Sequence, residues 1–235
     1  MTDLSNLRLF TTQEHECGYL TDQKATTLFV DPDHDIDKSL YSQLSELGFR
    51  RSGAHIYRPH CNQCQACTPA RIPTSLFVPN RSQKRCLKRN QDIHTNVTQS
   101  IDTPEHYQLY ARYIEQRHKD GDMYPPSKEQ YLSFLTSEWG VTEYINFYLN
   151  DVLVAVSVVD RIENGLSAIY TFFEPELTNR SLGVYALLWQ IEYCQNQGLT
   201  YLYLGYWIKK CQKMSYKLNY RPLQLFHNQR WLHVK

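Results

Sequence analysis

Between Leu47 and Gln91 the chain has no Asp or Glu, although nine Arg and Lys residues fall there. The same lack returns near the C-terminal end, where Tyr193 to Lys235 holds seven bases and no acid. The acids lie elsewhere: Met1 to Glu46 carries nine of them against three bases. A formal net charge of +1 therefore conceals two basic segments. That pattern suits an anionic partner such as a phosphate backbone. Brought together by the fold, the segments would form one positive face; kept apart, they would be two solvated surfaces. Each also carries aromatic residues that can stack on bases.

Long apolar runs are missing too. None approaches the ~20 residues needed to cross a bilayer as a helix. No apolar signal segment opens the sequence, so the expectation is a cytoplasmic protein with reduced thiols and no membrane partner. Seven Cys is an odd number, and a disulfide framework is the weaker account of them. Repeats and low-complexity segments are absent. A length of 235 residues with 42% apolar residues allows one large domain or two small ones.

Three of the Cys fall in one loop, Cys61-Asn-Gln-Cys64-Gln-Ala-Cys67, after Pro59-His60. Three thiolates at this spacing can converge on one ion, and Cys17 or His60 could supply the fourth ligand that tetrahedral zinc requires. The spacing also matches the start of an iron–sulfur loop. The alternative is a set of reduced thiols with no metal. Arg81, Lys84, Arg85, Lys88 and Arg89 lie within nine residues. Five like charges on a short helix repel one another unless an anion neutralises them, so a nucleic-acid backbone is the expected partner. A merely solvated helix would normally interleave acids. Near the C-terminal end, Leu204-Gly-Tyr-Trp207 leads into a segment with Lys213, Tyr216 and Lys217. Cations beside phenols there could hold a carboxylate or phosphate. Asp160 ends the apolar run Val152 to Val159. It reads equally as a turn former or as a carboxylate for an amine.

Hydrophobic spacing and turn signals give an order of elements. Residues 1–16 are polar and expected to lack structure. Helices are expected at Leu20–Phe29, Asp37–Leu47 and Arg81–Arg89, with strands at Phe49–Arg58 and Arg71–Phe77. Residues 92–102 read as a polar connection. Then come helices at Pro104–His118 and after a Ser127–Gln130 capping box, and strands at Thr142–Leu149, Val152–Asp160 and Leu166–Phe173. A helix at Ser181–Gln197, a strand at Thr200–Gly205, a basic helix at Lys209–Leu218 and a strand at Leu223–Phe226 complete the chain. The later order resembles the GCN5-related acyltransferase (GNAT) fold. The fold class expected is α+β: a GNAT-like acyltransferase domain at residues 99–235, preceded by a small Cys-bearing, basic α/β domain at residues 1–98.

A series of motifs carries a closer resemblance. They are Glu16-Cys-Gly-Tyr-Leu20, Gly48-Phe-Arg-Arg-Ser-Gly53, Tyr57-Arg-Pro-His-Cys61, Cys67-Thr-Pro-Ala-Arg-Ile72, Arg81-Ser-Gln-Lys-Arg85, Ser181-Leu-Gly183, Leu204-Gly-Tyr-Trp207 and Cys211-Gln-Lys-Met-Ser-Tyr-Lys217. In this order they resemble the bacterial aspartate/glutamate leucyltransferases, relatives of the eukaryotic arginyl-tRNA–protein transferases. The resemblance spans about residues 9–230. It implies transfer of leucine from charged tRNA to proteins that begin with Asp or Glu, creating an N-degron. It requires no cofactor for the transfer. The eukaryotic relatives have Cys-x-x-Cys where this chain reads Cys17-Gly-Tyr-Leu20, so their cluster does not carry over directly. Cys64 could replace the missing ligand, which leaves Cys17, Cys61, Cys64 and Cys67 as a metal or cluster set.

For that reaction, Asp160 is the candidate amine base or orienter, and Tyr170 and Tyr206 are the candidate oxyanion donors. Arg51, Arg71, Lys213, Tyr216 and Lys217 are candidates for the acidic side chain or the tRNA terminus. Arg81, Lys84, Arg85, Lys88 and Arg89 are the candidate tRNA contacts. Transfer of arginine, and a non-catalytic RNA-binding module with a zinc knuckle, are the alternatives. A CoA-dependent acetyltransferase is disfavoured, because Arg180-Ser-Leu-Gly183 offers only one Gly for a pyrophosphate turn. Oligomeric state is not legible.

Overall fold

The computed structural model describes Leu4 and residues 7–234. Residues 1–3, 5 and 6 of the polar N-terminal stretch, and Lys235 of the basic C-terminal segment, lie outside the described residues. Along the rest of that stretch, short strands form: β1 (Leu9–Thr11) and β2 (His15–Glu16), followed by β3 (Lys24–Ala25) and β4 (Thr27–Val30). The helix expected over Leu20–Phe29 is therefore corrected to strands. Thr26, Thr27 and Val30 are β-branched and stiff at χ1, and no apolar stripe at helical spacing opposes them.

Helix α1 (Lys38–Glu46) starts at Asp37, whose side chain accepts from the Leu40 amide at 2.7 Å. It stops at Gly48, whose φ of +83° and contact with Pro69 leave no room for a Cβ. Strands β5 (Arg50–Ser52), β6 (His55–Pro59) and β7 (Thr68–Pro73) follow. Helix α2 (Arg81–Arg89) opens with a reciprocal capping box between Asn80 and Gln83, a feature worth about 1 kcal/mol. The expected polar connection is corrected to strand β8 (Ile93–Thr98), an edge strand that buries Ile93 and leaves His94 and Asn96 exposed. Helices α3 (Pro104–Arg117) and α4 (Lys128–Leu135) come next; Ser127 caps α4 through the Gln130 amide. The Gln130 side chain turns away to the Asp122 carbonyl, so the reciprocal half of the expected box is not made. Strands β9 (Thr142–Leu149), β10 (Val152–Ile162) and β11 (Gly165–Phe173), helix α5 (Leu182–Asn196) and strand β12 (Tyr201–Trp207) follow. The expected basic helix is a 3-10 segment at Gln212–Asn219. The chain closes with β13 (Gln224–His227) and β14 (Arg230–His233).

Eight strands make one sheet in the order β14-β13-β7-β12-β11-β10-β9-β8. All neighbours are antiparallel except β11 and β12. Strand β7 thus inserts between β12 and β13, and β8 adds to β9, so the first 98 residues supply two strands of this sheet. One core packs α5 against β10, β11 and β12 around Leu188, Ile191 and Leu202. A second packs α3 and α4 around Tyr110, Tyr131 and Phe172. A third joins α1 and the four-stranded sheet β1-β4-β6-β5 to the main sheet through Tyr41, Ile56 and Ile162. No helix among the described residues is long and apolar enough to cross a membrane.

Candidate active site between two splayed strands

The parallel pairing of β11 and β12 is brief. It runs from Gly165 with Tyr201 to Ser167 with Tyr203 and then ends, although the two strands continue to Phe173 and Trp207. Past that point they diverge. Gly205, at φ +73°, sits in the irregularity where β12 shifts register against β7. The gap holds a cavity of about 760 Å³. Ala168, Ile169, Tyr170 and Thr171 of β11 line it, with Leu204 of β12 opposite and the first turn of α5 at one end.

The wall has two chemical characters. Leu182, Leu187, Leu204 and Phe173 form an apolar floor. Arg50, Arg117, Lys213 and Lys217 supply cations, and no Asp or Glu is among the described residues that line the cavity. Arg50 donates to Ser167 Oγ at 2.7 Å and to the Ala168 carbonyl, where the strand pairing ends. Its guanidinium packs closely on Gly205, where a Cβ would come within 3.1 Å of Nε. Lys217 is only 5% exposed, and its ammonium donates to the Tyr206 carbonyl. Burial, then the Arg50 charge, brings its pKa down to about 7. His118 is also lowered, by burial and then by Lys213 and Arg117, which favours the neutral ring at neutral pH.

Of the candidate residues, Tyr170, Lys213, Tyr216 and Lys217 meet at this cavity. The Tyr170 hydroxyl is buried without a hydrogen-bond partner. Burial, then Tyr113 and Tyr110, holds its pKa well above that of a free phenol, so it remains a donor. Tyr206 is elsewhere: its hydroxyl donates to the Gly48 carbonyl at 2.9 Å, and only its backbone serves the cavity through Lys217. Arg71 is already committed to Glu46, Gln224 Oε1 and Tyr203, with Tyr201 and Trp231 rings against its guanidinium.

Asp160 is fully buried. Its Oδ2 accepts from Arg51 Nε at 2.7 Å and Tyr41 at 2.8 Å; its Oδ1 accepts from Arg51 Nη2 at 2.9 Å and Thr142 at 2.8 Å. Four donors occupy the carboxylate, which leaves no lone pair directed at a substrate. Asp160 and Arg51 therefore join α1, β5, β9 and β10 and stand outside the cavity.

The basic helix lies beside the site. All five of its cations are exposed, while Gln83 donates to the Asn219 carbonyl and Arg89 to the Asn179 carbonyl. Asn90 donates to the Arg180 carbonyl at 2.9 Å. These bonds tie α2 both to the 3-10 segment and to the entrance of α5. The two acid-free segments are thereby joined.

Cys17, Cys61, Cys64 and Cys67 line a different cavity, of about 270 Å³, with His60 and Lys24. Cys61 Sγ donates weakly to the Thr26 carbonyl at 3.7 Å. Among the described residues, no group of three or more His, Cys, Asp and Glu side chains could hold a metal ion. The donors as placed do not fit zinc or an iron–sulfur cluster. The Cys67 thiol is pushed up to about 12, first by burial and then by the neighbouring Cys61, Cys17, Cys64 and Cys211, which favours its protonated form at neutral pH.

Sequence reasoning passed over Arg50 and chose Arg51. Successive residues of a strand face opposite sides, so only one of the two could line the cavity. It also passed over Gln190, Tyr113, Arg117 and His118, which line the cavity from α5, α3 and the end of α3.

A cationic cavity with an apolar floor, at the open end of a parallel strand pair, is suited to a ligand that carries charged and apolar groups together. The chain belongs to the arginine-tRNA-protein transferase family: the model for its N terminus matches residues 15–85, and that for its C terminus residues 105–227. The aspartate/glutamate leucyltransferase of Saccharophagus degradans is 58% identical over 99% of both chains. That of Teredinibacter turnerae is 57% identical over 100% of this chain and 97% of its own. These matches bear out the resemblance carried by the motifs. Among solved structures, L-PGS from Bacillus licheniformis is similar at a TM-score of 0.45 and 14% identity, over 62% of this chain and 48% of that chain; nothing about the chemistry follows at that distance.

Proposed function

We propose that this chain transfers leucine from leucyl-tRNA to the N-terminal Asp or Glu of acceptor proteins. Near-full-length relatives of that name support the reading, and the wall of the cavity is the observation that carries it. Arg50, Lys213 and Lys217 are positioned to attract an acidic side chain, and no carboxylate among the described lining residues competes with it. An apolar floor suits an isobutyl group, whereas a guanidinium would have to lose its water beside like charges. This favours leucine over arginine. The exposed cations of α2 (Arg81, Lys84, Arg85, Lys88 and Arg89) are suited to the tRNA backbone. The splayed strand pair supports a GNAT-like unit within residues 99–235, whose sheet is completed by β7 and β8 from residues 1–98. The gap between the two family matches, residues 86–104, spans that boundary.

The chemistry needs no covalent enzyme intermediate. The acceptor's neutral amine nitrogen attacks the ester carbonyl and an oxyanion forms; collapse breaks the C–O bond to the tRNA, whose leaving oxygen takes up the proton that the attacking amine gives up. An α-amine has a reference pKa of ~7.7–8.0. Cations around it favour its neutral, nucleophilic form, so the wall itself does much of the work first assigned to Asp160. Tyr170 donates to the oxyanion. Aligned amines and esters gain further from fixed geometry.

Leucyl-tRNA incubated with peptides beginning Asp, Glu or Lys tests the reading. Transfer to Asp and Glu only is expected, with arginyl-tRNA a poor donor. Binding without transfer, or equal transfer to the Lys peptide, would favour the RNA-binding module or another acceptor class.

Lys217 adds a pH signature. Its unfolded-state pKa is near 10.5 and its folded value about 7. Between these values the unfolded chain binds the extra proton, so stability rises with pH through that window. The burial penalty is fully present below pH 7. Lys217→Met removes it and is expected to stabilise the protein at pH 6–7 by on the order of a few kcal/mol. The advantage should fade towards pH 10. Denaturant melts of both proteins at the two pH values check this; a constant difference would refute the buried-ammonium account.

A further inference from the structure

One buried group in the cavity has no partner and no role in the steps above. Gln190 on α5 is 1% exposed and lines the cavity. Its Nε2 donates to Ser157 Oγ at 3.0 Å, and Ser157 shares a hydrogen bond with Thr171 Oγ1 at 3.1 Å. The amide is thereby anchored from behind. Its Oε1 is buried and has no hydrogen-bond partner. A buried acceptor left unpaired costs about 1–3 kcal/mol, so such an atom on a residue that lines a substrate cavity points to a donor that arrives with the substrate.

The neighbours indicate which donor. Leu187 lies three residues before Gln190 on α5, so the two share a helix face, and both line the cavity together with Leu204 across the gap. The cations Arg50, Lys213 and Lys217 are set for the acceptor's carboxylate. A leucyl ester carries an amino group and an isobutyl group on adjacent carbons. Gln190 is one helical turn from Leu187, so an isobutyl group held by Leu182, Leu187 and Leu204 would carry its amino group within the reach of this neutral acceptor. A neutral amide can accept from that amine without adding a carboxylate that would compensate the cationic wall.

We propose that Gln190 Oε1 accepts a hydrogen bond from the α-amino group of the leucyl residue being transferred, making Gln190 a specificity-determining residue for aminoacyl donors. This rests on the leucyl-transfer reading and names the part of the donor that the site recognises.

The test uses the full chain and two donors, leucyl-tRNA and 4-methylpentanoyl-tRNA, which keeps the isobutyl group and the ester but lacks the amine. The ratio of kcat/KM for the two is measured in wild type, Gln190→Leu and Gln190→Glu, each checked for folding by its melting curve. Gln190→Leu is expected to shrink the preference for the aminoacyl donor about ten-fold or more, the scale of one buried hydrogen bond. Gln190→Glu, which retains an acceptor oxygen, should keep the preference. A purely structural role would lower both donors equally and leave the ratio unchanged, overturning the proposal. So would a rise in KM confined to the acceptor peptide, since the amide would then face the other amine. If Gln190→Leu does not fold, loss of the preference in folded Gln190→Glu would also overturn it. Absence of wild-type leucyl transfer would remove the functional reading and this proposal together, whereas an unchanged ratio removes only the proposal.

Discussion

Asp160→Asn is expected to destabilise the protein by about 3–5 kcal/mol, the usual cost of leaving one partner of a buried ion pair alone. The carboxylate is fully buried and accepts from Arg51 twice, from Tyr41 and from Thr142. An amide nitrogen in place of one oxygen would face donors instead of accepting from them. The Arg51 guanidinium would also lose its counter-charge at a place from which water is excluded. For a chain of this size, each kcal/mol moves the melting temperature by roughly 2–4 °C, so a thermal melt reads the effect directly. Turnover should be lost only in step with folded protein. A variant that melts like wild type and yet fails to transfer would return Asp160 to the chemistry.

The second large effect is on rate. Tyr170→Phe should lower kcat by roughly 10²-fold, the usual loss when one oxyanion donor is removed. Its stability should be unchanged or slightly improved, because the hydroxyl is buried without a partner in the free protein. Tyr206→Phe provides the opposite pattern. That hydroxyl is spent on the Gly48 carbonyl, so its removal should cost about 1 kcal/mol of stability and little rate. Equal kcat in Tyr170→Phe and wild type would exclude the hydroxyl from the transition state.

Much of the fold can be read from the sequence where local chemistry decides it. The helices at Lys38–Glu46, Arg81–Arg89, Pro104–Arg117 and Leu182–Asn196 have caps or stop signals in their flanking residues. The three-strand run from Thr142 to Phe173 has turn residues at Asn150-Asp151 and Asn164-Gly165. What failed was non-local. Edge strand β8 is held by pairing with β9 some 50 residues away, and its own polar residues read as a connection. Asp160 at the end of an apolar strand looks the same whether it meets substrate or Arg51, and Arg51 is 109 residues distant in sequence. The Cys loop has metal-like spacing, but spacing does not fix where the sulfur atoms point. The cavity arises from where the pairing of β11 and β12 ends, which no composition signal records. Lys213, Tyr216 and Lys217 were legible because cations and phenols were concentrated beside a strand end without acids.

The position of β7 has a consequence for how the protein is made. This strand leaves the ribosome early, yet its sheet neighbours are β12 and β13, encoded more than 125 residues later. Until they emerge, both edges of β7 lack their ladder partners, and Leu204, Lys213, Tyr216 and Lys217 have not yet been synthesised. The nascent chain therefore has no complete cavity wall while it is surrounded by charged tRNA. Closing the sheet and acquiring the active site become a single late event.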